Sequence, residues 1–295
     1  MTVMKGFFCA SRVVFSLLLA LLVAFPAAAE EEPTADQVQV STPVYRPEFS
    51  QFDPPLGTYS YTVSWQGIPA ATVELSVAQD EMYYRIVAQA QTYSGIDLFY
   101  KLRYRAEGLI SSFDLSPVKT IIDQSENSRI KNTQITFGPD DKVFAVRSSK
   151  PRNEVKVLNF KPNNFMLDPF SAAFLARSLH WEKGATREFD CFNGKSRYLV
   201  SLTAEDRVTM KVNGQERDVW VIVPKVVNLT SKEQTKKLRR AEIYVTADKA
   251  REVLQIVSEV FIGSVSTKLV SFAPSNQPPP AVRVARSPQG QSFMR

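Results

Sequence analysis

The stretch GTYSYTVSWQGIPAATVELSV, residues 57–77, decides the fold class because its apolar and polar residues alternate with a period of two. Alternation of this kind places Tyr59, Tyr61 and Trp65 on one face of a strand and the serines and threonines on the other. A Gly-Ile-Pro turn separates this run from a second alternating run. The stretch therefore predicts an antiparallel β-hairpin.

The same period continues through most of the chain, in short runs separated by turn residues. We predict further strands around residues 84–90, 98–107, 117–123, 130–138, 142–147, 153–158, 186–192, 196–203, 208–212, 217–223, 241–246, 252–261 and 264–272. Asn-Gly pairs at 193–194 and 213–214 are typical of tight hairpins. About fourteen strands in such a meander predict an all-β, mainly antiparallel fold, either a curved sheet or a barrel-like closure that protects the edges.

One short helix is predicted around residues 168–180. Asp168 is a favoured N-cap residue, and Pro169 is favoured at the first helical position. Because Phe170 and Phe174 share one face, we expect the helix to lie against the sheet or to plug one end of a barrel.

The first 29 residues have the pattern of a secretory signal peptide. Lys5 and Arg12 precede an apolar run at 13–25, and small residues follow it as far as Ala29. An uncleaved membrane anchor is the alternative, but this run is shorter than the roughly 20 residues that span a bilayer. We therefore expect cleavage near Ala29, a periplasmic location and no transmembrane anchor in the mature chain.

Composition divides the rest of the chain into three parts. Residues 30–53 are acidic and Pro-rich and are predicted to be flexible, residues 54–273 form the β domain, and residues 274–295 form a disordered tail containing Pro and Arg. The formal net charge is +6, and removal of Lys5 and Arg12 with the signal peptide lowers it to +4. This charge is too small to indicate nucleic-acid binding.

Residue counts limit the chemistry that the chain can carry. His180 is the only histidine and Cys191 the only cysteine after residue 29, so metal sites built from several histidines or cysteines are excluded. We interpret His180 as a residue at the end of the helix and Cys191 as a buried small apolar side chain. No catalytic residue, metal or cofactor is predicted. A carboxylate pair for glycoside hydrolysis stays open, because such pairing is spatial.

Two groups of side chains are candidates for ligand binding. The aromatic group, expected to line the inside of the sheet, is Tyr59, Tyr61 and Trp65. The basic group comprises a stripe on one strand and part of a basic segment at 225–240, namely Lys101, Arg103, Arg105, Lys236, Lys237, Arg239 and Arg240. Both basic features are also explained as solvated surface. As a site, they would hold the anionic head groups of envelope lipids.

Three motifs occur in order along the domain. They are YSYTVSWQGIPA at 59–70, DPFSAAF at 168–174, and a closing pair, EIYVTAD at 242–248 with VFIGSV at 260–265. Together they resemble the DUF3108 family of exported bacterial proteins of unknown function, in which a Y-x-V-x-W-x-G-I-P-A-G hairpin opens the domain and a D-x-x-S-x-x-Y/F segment starts its helix.

The resemblance covers about residues 53–273. Ala71, Tyr244 and Val253 stand where Gly, Trp and Pro are usual in the family, and these are conservative packing changes. The resemblance implies an exported, β-rich single domain of Gram-negative bacteria. It implies no activity, so it carries over no catalytic residue.

Three functions remain open at this point. The leading hypothesis is a non-enzymatic periplasmic envelope protein that holds a lipid or lipopolysaccharide-like ligand inside its curved sheet. The second is a scaffold that binds an envelope protein during outer-membrane or cell-wall assembly, and the third is a glycan hydrolase. A cavity lined by the aromatic group would favour the first hypothesis, and a packed interior would favour the second.

Overall fold

The computed structural model describes residues 39–138, 140–212, 214–230, 238–260 and 263–275. Within these ranges the chain forms fifteen strands and two helices. In chain order they are β1 (Gly57–Trp65), β2 (Ile68–Gln79), β3 (Tyr83–Thr92), α1 (Ser94–Asp97), β4 (Leu102–Ser111), β5 (Pro117–Glu126), β6 (Arg129–Phe137), β7 (Val143–Lys150), β8 (Glu154–Phe160), β9 (Met166–Leu167), α2 (Pro169–Ser178), β10 (Thr186–Phe192), β11 (Arg197–Val212), β12 (Gln215–Asn228), β13 (Leu238–Thr246), β14 (Val253–Val260) and β15 (Ser264–Pro274).

The strands form one sheet in the order β8-β7-β6-β5-β4-β3-β2-β1-β15-β14-β13-β12-β11-β10-β9. β1 pairs with β15, so the first and last described strands lie side by side near the centre. From this seam the sheet extends through β2–β8 on one side and through β14–β9 on the other. The described pairings are antiparallel except for that of β9 with β10. The predicted antiparallel meander is therefore confirmed.

The two flanks of the sheet curve towards each other. The ring of Phe160 in β8 lies 5.3 Å from the ring of Phe192 in β10. A Cβ atom on Gly194, just after β10, would lie 2.4 Å from Cγ2 of Thr133 in β6, so glycine is required for this approach. β8 and β9 are the two ends of the described strand order, and the sheet is curved but unclosed. This confirms the predicted fold class.

Helix α2 lies within the curve and begins as predicted. The N-cap Asp168 accepts a hydrogen bond from the backbone N–H of Ser171 at 2.7 Å. The hydroxyl groups of Ser171 and of Thr120 in β5 donate to the same carboxylate, which ties the start of the helix to the sheet. Burial raises the pKa of Asp168. The helix ends at Ser178, slightly before the predicted end at His180.

Two large hydrophobic clusters fill the space inside the curve. Helix α2 contributes Phe170 and Phe174 to the cluster formed with β1–β5, and Ala172 and Leu175 to the cluster formed with β10–β13. Full burial of one large apolar side chain stabilises a fold by about 1.5–3 kcal/mol. Because α2 contributes side chains to both clusters, it joins the two flanks of the sheet.

The connection between β3 and β4 differs from the prediction, which began a strand at Leu98. Ser94–Asp97 form the short helix α1 instead, and β4 begins only at Leu102. The backbone N–H of Ile96 donates to the carbonyl oxygen of Tyr93 at 2.9 Å. The alternating apolar pattern continues through this turn, but Leu98 is 82% exposed and, of the described residues 93–101, only Tyr100 joins the core.

The strand β11 also differs from the prediction, which placed two separate runs at 196–203 and 208–212. Arg197–Val212 is one continuous strand of 16 residues. An irregularity between Ala204 and Asp206 shifts the register with β12. A bulge of this kind bends a strand without ending it, and the interrupted alternation misled the sequence-based prediction.

Residues 39–53 lie against the domain. The Tyr45 ring is 5.3 Å from the Phe189 ring, and the Phe52 ring meets Phe174 of α2 edge to face at 5.6 Å. These contacts place the described part of the segment predicted to be flexible beside α2. The division of the chain into a signal peptide, a flexible segment, a β domain and a tail stays a prediction.

Candidate functional site

The aromatic candidates lie in the packed core. Tyr59 and Tyr61 are 3% and 5% exposed, and the partly buried Trp65 packs against the same cluster. The Tyr59 ring lies 4.5 Å from the Phe272 ring, and its hydroxyl donates to the carbonyl oxygen of Pro55 at 2.9 Å. Burial raises the pKa of Tyr59 to about 12 and raises that of Tyr61 as well. Both phenols are neutral packing groups at physiological pH.

Arg177 closes the interior beside these tyrosines. Its guanidinium carbon lies 5.1 Å from the centre of the Phe52 ring and 5.3 Å from that of Phe174. Its Nε donates to the carbonyl oxygen of Arg251 at 2.7 Å, and Nη2 donates to that of Ala250 at 3.1 Å. Protein groups therefore occupy the place beside the tyrosines where the sequence suggested a ligand.

Two cations of the basic stripe, Arg103 and Arg105, lie on the outer face of β4 and are paired, and the third, Lys101, precedes the strand. Arg103 forms a two-pronged ion pair with Asp97 of α1, with Nη1–Oδ1 at 3.0 Å and Nη2–Oδ2 at 2.5 Å. The Arg103 hydrogen bonds lower the pKa of Asp97 to about 2. Arg105 donates to Oε1 of Glu107 through Nε at 2.9 Å and Nη2 at 2.7 Å. Lys101 is exposed.

Arg103 and Arg105 lie in a groove of about 360 Å³ on the outer face of β2–β6. Two rows of mostly polar side chains cross these strands in register. The first row is Thr72, Gln91, Arg103, Ser125 and Ile130. The second is Glu74, Gln89, Arg105, Asp123 and Asn132. The strand period explains the rows, because the core residues alternate with them on every strand.

The groove offers several different hydrogen-bonding groups at once. Asn132 Nδ2 donates to Asp123 Oδ1 at 2.6 Å, so this amide and this carboxylate form one rigid pair across β5 and β6. Gln89 and Gln91 on β3 are exposed. Amides, hydroxyls and paired charges of this kind suit a ligand with hydroxyl groups and a limited negative charge.

One end of the groove opens at a rim that carries exposed apolar side chains. We call residues 66–68, 93–101, 127–130 and 150–153 the apolar rim. Its exposed apolar side chains are Ile68 (60%), Tyr93 (38%), Leu98 (82%), Phe99 (50%) and Ile130 (41%). Polar groove and apolar rim therefore adjoin on one surface.

Backbone hydrogen bonds join neighbouring parts of this rim. The N–H of Tyr93 donates to the carbonyl oxygen of Ala70 at 3.1 Å. The N–H of Asn127 donates to the carbonyl oxygen of Lys101 at 2.8 Å, and the Lys101 N–H donates to Asn127 Oδ1 at 2.9 Å. These bonds join the β3–β4 connection to β2 on one side and to the β5–β6 turn on the other.

The second basic candidate is only partly described. Lys236 and Lys237 lie outside the described residues, and Arg239 lies in β13 without a described side chain. Arg240 is paired on the outer face, with Nη2 2.6 Å from Oε2 of Glu205 and Nε 3.0 Å from Oε1 of Glu242. These residues are not brought to the groove by any described contact.

The flank of the sheet opposite the groove holds a buried ion pair that sequence reasoning missed. Arg197 and Asp190 have fully buried side chains, and Arg197 Nε donates to Asp190 Oδ1 at 3.2 Å. Arg197 Nη2 also donates to Asn163 Oδ1 at 3.2 Å. The opposite charges on neighbouring strands around an Asn-Gly turn were the available signal. The pair fixes β10 to β11 and belongs to the fold.

The other two titratable candidates, Cys191 and His180, lie outside the groove in contacts that belong to the fold. Cys191 is free and buried, as predicted, and burial raises the pKa of its thiol well above the usual range. His180 is exposed, and its backbone N–H donates to Oε1 of Glu48 at 3.3 Å. Among the described residues, no three His, Cys, Asp or Glu side chains cluster as a metal site. In the same residues we find no helix with the length and apolar character that membrane crossing requires.

Comparison with known proteins identifies a family without a known activity. The model of DUF3108, a protein family of unknown function, matches residues 60–270. No curated protein matches the sequence significantly.

One solved structure supports the fold, and two others show a weaker similarity. A β-barrel-like protein of the domain of unknown function DUF1849 from Brucella abortus superposes with a TM-score of 0.52 at 8% identity, covering 77% of this chain and 100% of that chain. A protein from Bacteroides fragilis, provisionally described as exported with a YmcC-like fold, has a TM-score of 0.33 at 9% identity, with coverage of 75% and 98%. A provisionally described lipoprotein from Parabacteroides distasonis has a TM-score of 0.30 at 11% identity, with coverage of 78% and 100%. The Brucella protein supports a barrel-like fold alone.

Proposed function

The chain belongs to the DUF3108 family, and from that premise we propose that it is a non-enzymatic protein of the cell envelope that binds an amphipathic ligand. The ligand class is a lipid or a lipopolysaccharide-like glycolipid, and it binds on the outer face of the sheet. The observation that carries this proposal is the junction of the polar groove with the apolar rim. Export by the signal peptide to the periplasm is part of the proposal.

The polar groove fits the head group. Its volume of about 360 Å³ lies within the range of about 300–1,000 Å³ for small-molecule sites. Gln89, Gln91 and the Asn132–Asp123 pair supply donors and acceptors for sugar hydroxyls, and Arg105 supplies a donor for an anionic substituent. Arg105 is held by Glu107, so binding an anion there means sharing or exchanging that ion pair.

The apolar rim fits the hydrocarbon part of the same ligand. Tyr93 follows Gln91 of the groove by two residues, and Leu98 and Phe99 lie in the same connection. Each CH₂ group moved from water to an apolar surface contributes about 0.8 kcal/mol, so a short contact with an acyl chain is enough to hold it. This arrangement replaces the hypothesis of a ligand enclosed by Tyr59 and Tyr61, whose surroundings are filled by side chains.

A glycan hydrolase receives less support from the groove. Its carboxylates Glu74 and Asp123 lie on β2 and β5, three strand spacings apart. At about 4.8 Å per spacing they are separated by roughly 14 Å along the sheet, beyond the roughly 5–9.5 Å that glycoside hydrolysis uses.

A scaffold function is a second candidate, supported by the packed interior and by the edge strand β8. β8 ends the described strand order, and its outer face exposes Val155 (66%) and Val157 (58%). An exposed edge with apolar side chains is a surface to which a partner strand can add. Replacing Val157 by Lys should then abolish a cross-link to an envelope protein and leave glycolipid binding unchanged.

The direct test of the proposal measures binding of a water-soluble, short-chain lipid A analogue to the delipidated mature protein by calorimetry. We expect saturable binding to the wild type and at least a tenfold weaker affinity in a Gln89→Ala/Asn132→Ala variant. The matched control is Gln215→Ala/Asn159→Ala, which removes the same exposed groups outside the groove. Equal affinity in the groove variant and the wild type would contradict an outer-face site, and absence of binding to the wild type would contradict the ligand class.

A further inference from the structure

We propose that the apolar rim docks the protein onto the surface of an anionic lipid bilayer, with the strands of β1–β8 pointing away from it. This inference concerns the orientation of the whole protein and does not require a ligand in the groove. It rests on three features of the described residues: exposed apolar side chains, exposed cations around them, and an acidic opposite rim.

The apolar side chains project from a braced connection. Leu98 and Phe99 directly follow α1, and Arg103 clamps Asp97 at the end of that helix. Asp97 also accepts a hydrogen bond from the Thr92 hydroxyl. Leu98 is 82% exposed. Because the backbone is held on both sides, little further conformational entropy is lost when this side chain enters the boundary between head groups and acyl chains.

Exposed cations surround these apolar side chains. Lys101 lies beside Phe99, Arg129 follows the β5–β6 turn, and Lys150 and Arg152 lie at the β7–β8 turn. Three carboxylates lie on or beside this rim: Asp97, paired with Arg103, Glu126, and Glu154, whose Oε1 is 3.9 Å from Nη1 of Arg152. The balance remains positive, and each basic residue near an anionic bilayer raises affinity by about fivefold.

Two further cations lie on the strands behind this rim, Lys131 on β6 and Arg147 on β7. Burial is the main cause that lowers the pKa of Lys131, and the nearby Glu126 opposes this shift. These two cations add to the attraction between the rim side of the sheet and an anionic surface.

The opposite ends of the same strands form an acidic rim, which we define as residues 80–82, 112–116 and 140–142. It carries exposed Asp80, Glu81, Asp114, Asp140 and Asp141, with Lys142 paired to Asp140 at 2.6 Å. An anionic bilayer repels this rim and attracts the other. The charge separation therefore selects one orientation and favours a bilayer over an acidic soluble partner, because a bilayer also accepts the apolar side chains.

The test is flotation of the full mature protein with vesicles of 30% phosphatidylglycerol in phosphatidylcholine, against pure phosphatidylcholine vesicles. We expect binding to the anionic vesicles that falls at least tenfold between 50 and 500 mM salt. A Leu98→Asp/Phe99→Asp variant should lose at least tenfold in affinity. The control Phe113→Asp changes an equally large aromatic residue, 65% exposed on the acidic rim, and should bind as the wild type does.

A charge variant separates docking from simple apolar adhesion. Lys150→Glu/Arg152→Glu should bind anionic vesicles at least tenfold more weakly, and Lys142→Glu/Lys249→Glu, at the other end of the sheet, should change affinity less than twofold. Equal binding of the two charge variants, or equal binding to both vesicle types, would overturn the proposal. The Gln89→Ala/Asn132→Ala variant should still float with anionic vesicles, so failure of the groove ligand and failure of docking give different results.

Discussion

The apolar rim and the acidic rim are formed by the same run of strands, β1–β8, yet they differ in charge and in what lies behind them. Near the acidic rim, Phe52, Phe174 and Arg177 close the interior through ring and guanidinium contacts. At the apolar rim, Ile68, Leu98 and Phe99 are exposed among cations. By contrast, the exposed Met82 and Phe113 of the acidic rim lie among carboxylates. Alternation along the strands therefore determines which side chains form the core, whereas the connections between strands determine the charge and the exposed side chains at each rim.

The largest expected difference comes from truncating one phenylalanine in the core and one at the apolar rim. Phe174→Ala, at 2% exposure, leaves a cavity among Phe52 and Tyr84 and should lower the free energy of unfolding by about 3–5 kcal/mol. Phe99→Ala, at 50% exposure, should change it by less than about 0.5 kcal/mol. Urea denaturation followed by circular dichroism measures both. Similar losses for the two variants would mean that the apolar rim is part of the core.

A smaller effect is expected where α2 begins. Asp168→Ala removes the N-cap and leaves the hydroxyl of Thr120 without its buried acceptor. The expected loss is about 1–3 kcal/mol. Asp168→Ser should restore part of it, because serine is also a favoured N-cap. If alanine and serine are equally destabilising in urea denaturation, the cap is not the reason for the effect.

The smallest effect on stability is expected from the ion pair of Arg103 with Asp97 at the apolar rim. The pKa of Asp97 is lowered to about 2 from 3.8, chiefly by its hydrogen bonds with Arg103. A depressed carboxyl pKa stabilises the folded state above pH 3.8, and this contribution is lost as the pH falls through 2. Carbon-detected NMR titration should give an Asp97 pKa near 2, rising towards 3.8 in Arg103→Gln. An unchanged pKa in that variant would show that Arg103 does not hold the α1 connection.

Much of the fold could be predicted because its signals are local. Three signals each predict the structure of the residues around them: the alternation along residues 57–77, the N-cap Asp168 and the Asn-Gly turn at 193–194. Helix α1 could not be predicted in the same way, because four residues contain no helical period. The alternating pattern that continued through Leu98 then gave a strand that began too early.

The candidate site was harder to predict because it depends on which side of the sheet faces out. The sequence offered two ligand-binding groups, Tyr59 and Tyr61 inside the sheet and a stripe with Arg103 and Arg105 on the polar face of a strand. In the structure the tyrosines lie in the packed core, and the arginines line the groove. The pairing of Arg105 with Glu107 was within reach, since residues two apart on a strand share a face. The groove itself arises from five strands in register, which no local pattern reveals.

The central claim is that the ligand binds on the outer face and not inside the sheet. The most direct test is native mass spectrometry with lipid extraction, applied to protein purified gently from its own organism, as wild type and as Gln89→Ala/Asn132→Ala. We expect an amphipathic molecule to accompany the wild type in near-equal molar amount and to be largely lost from the variant. Retention of the same molecule by both proteins would place it elsewhere, and its absence from both would contradict the account.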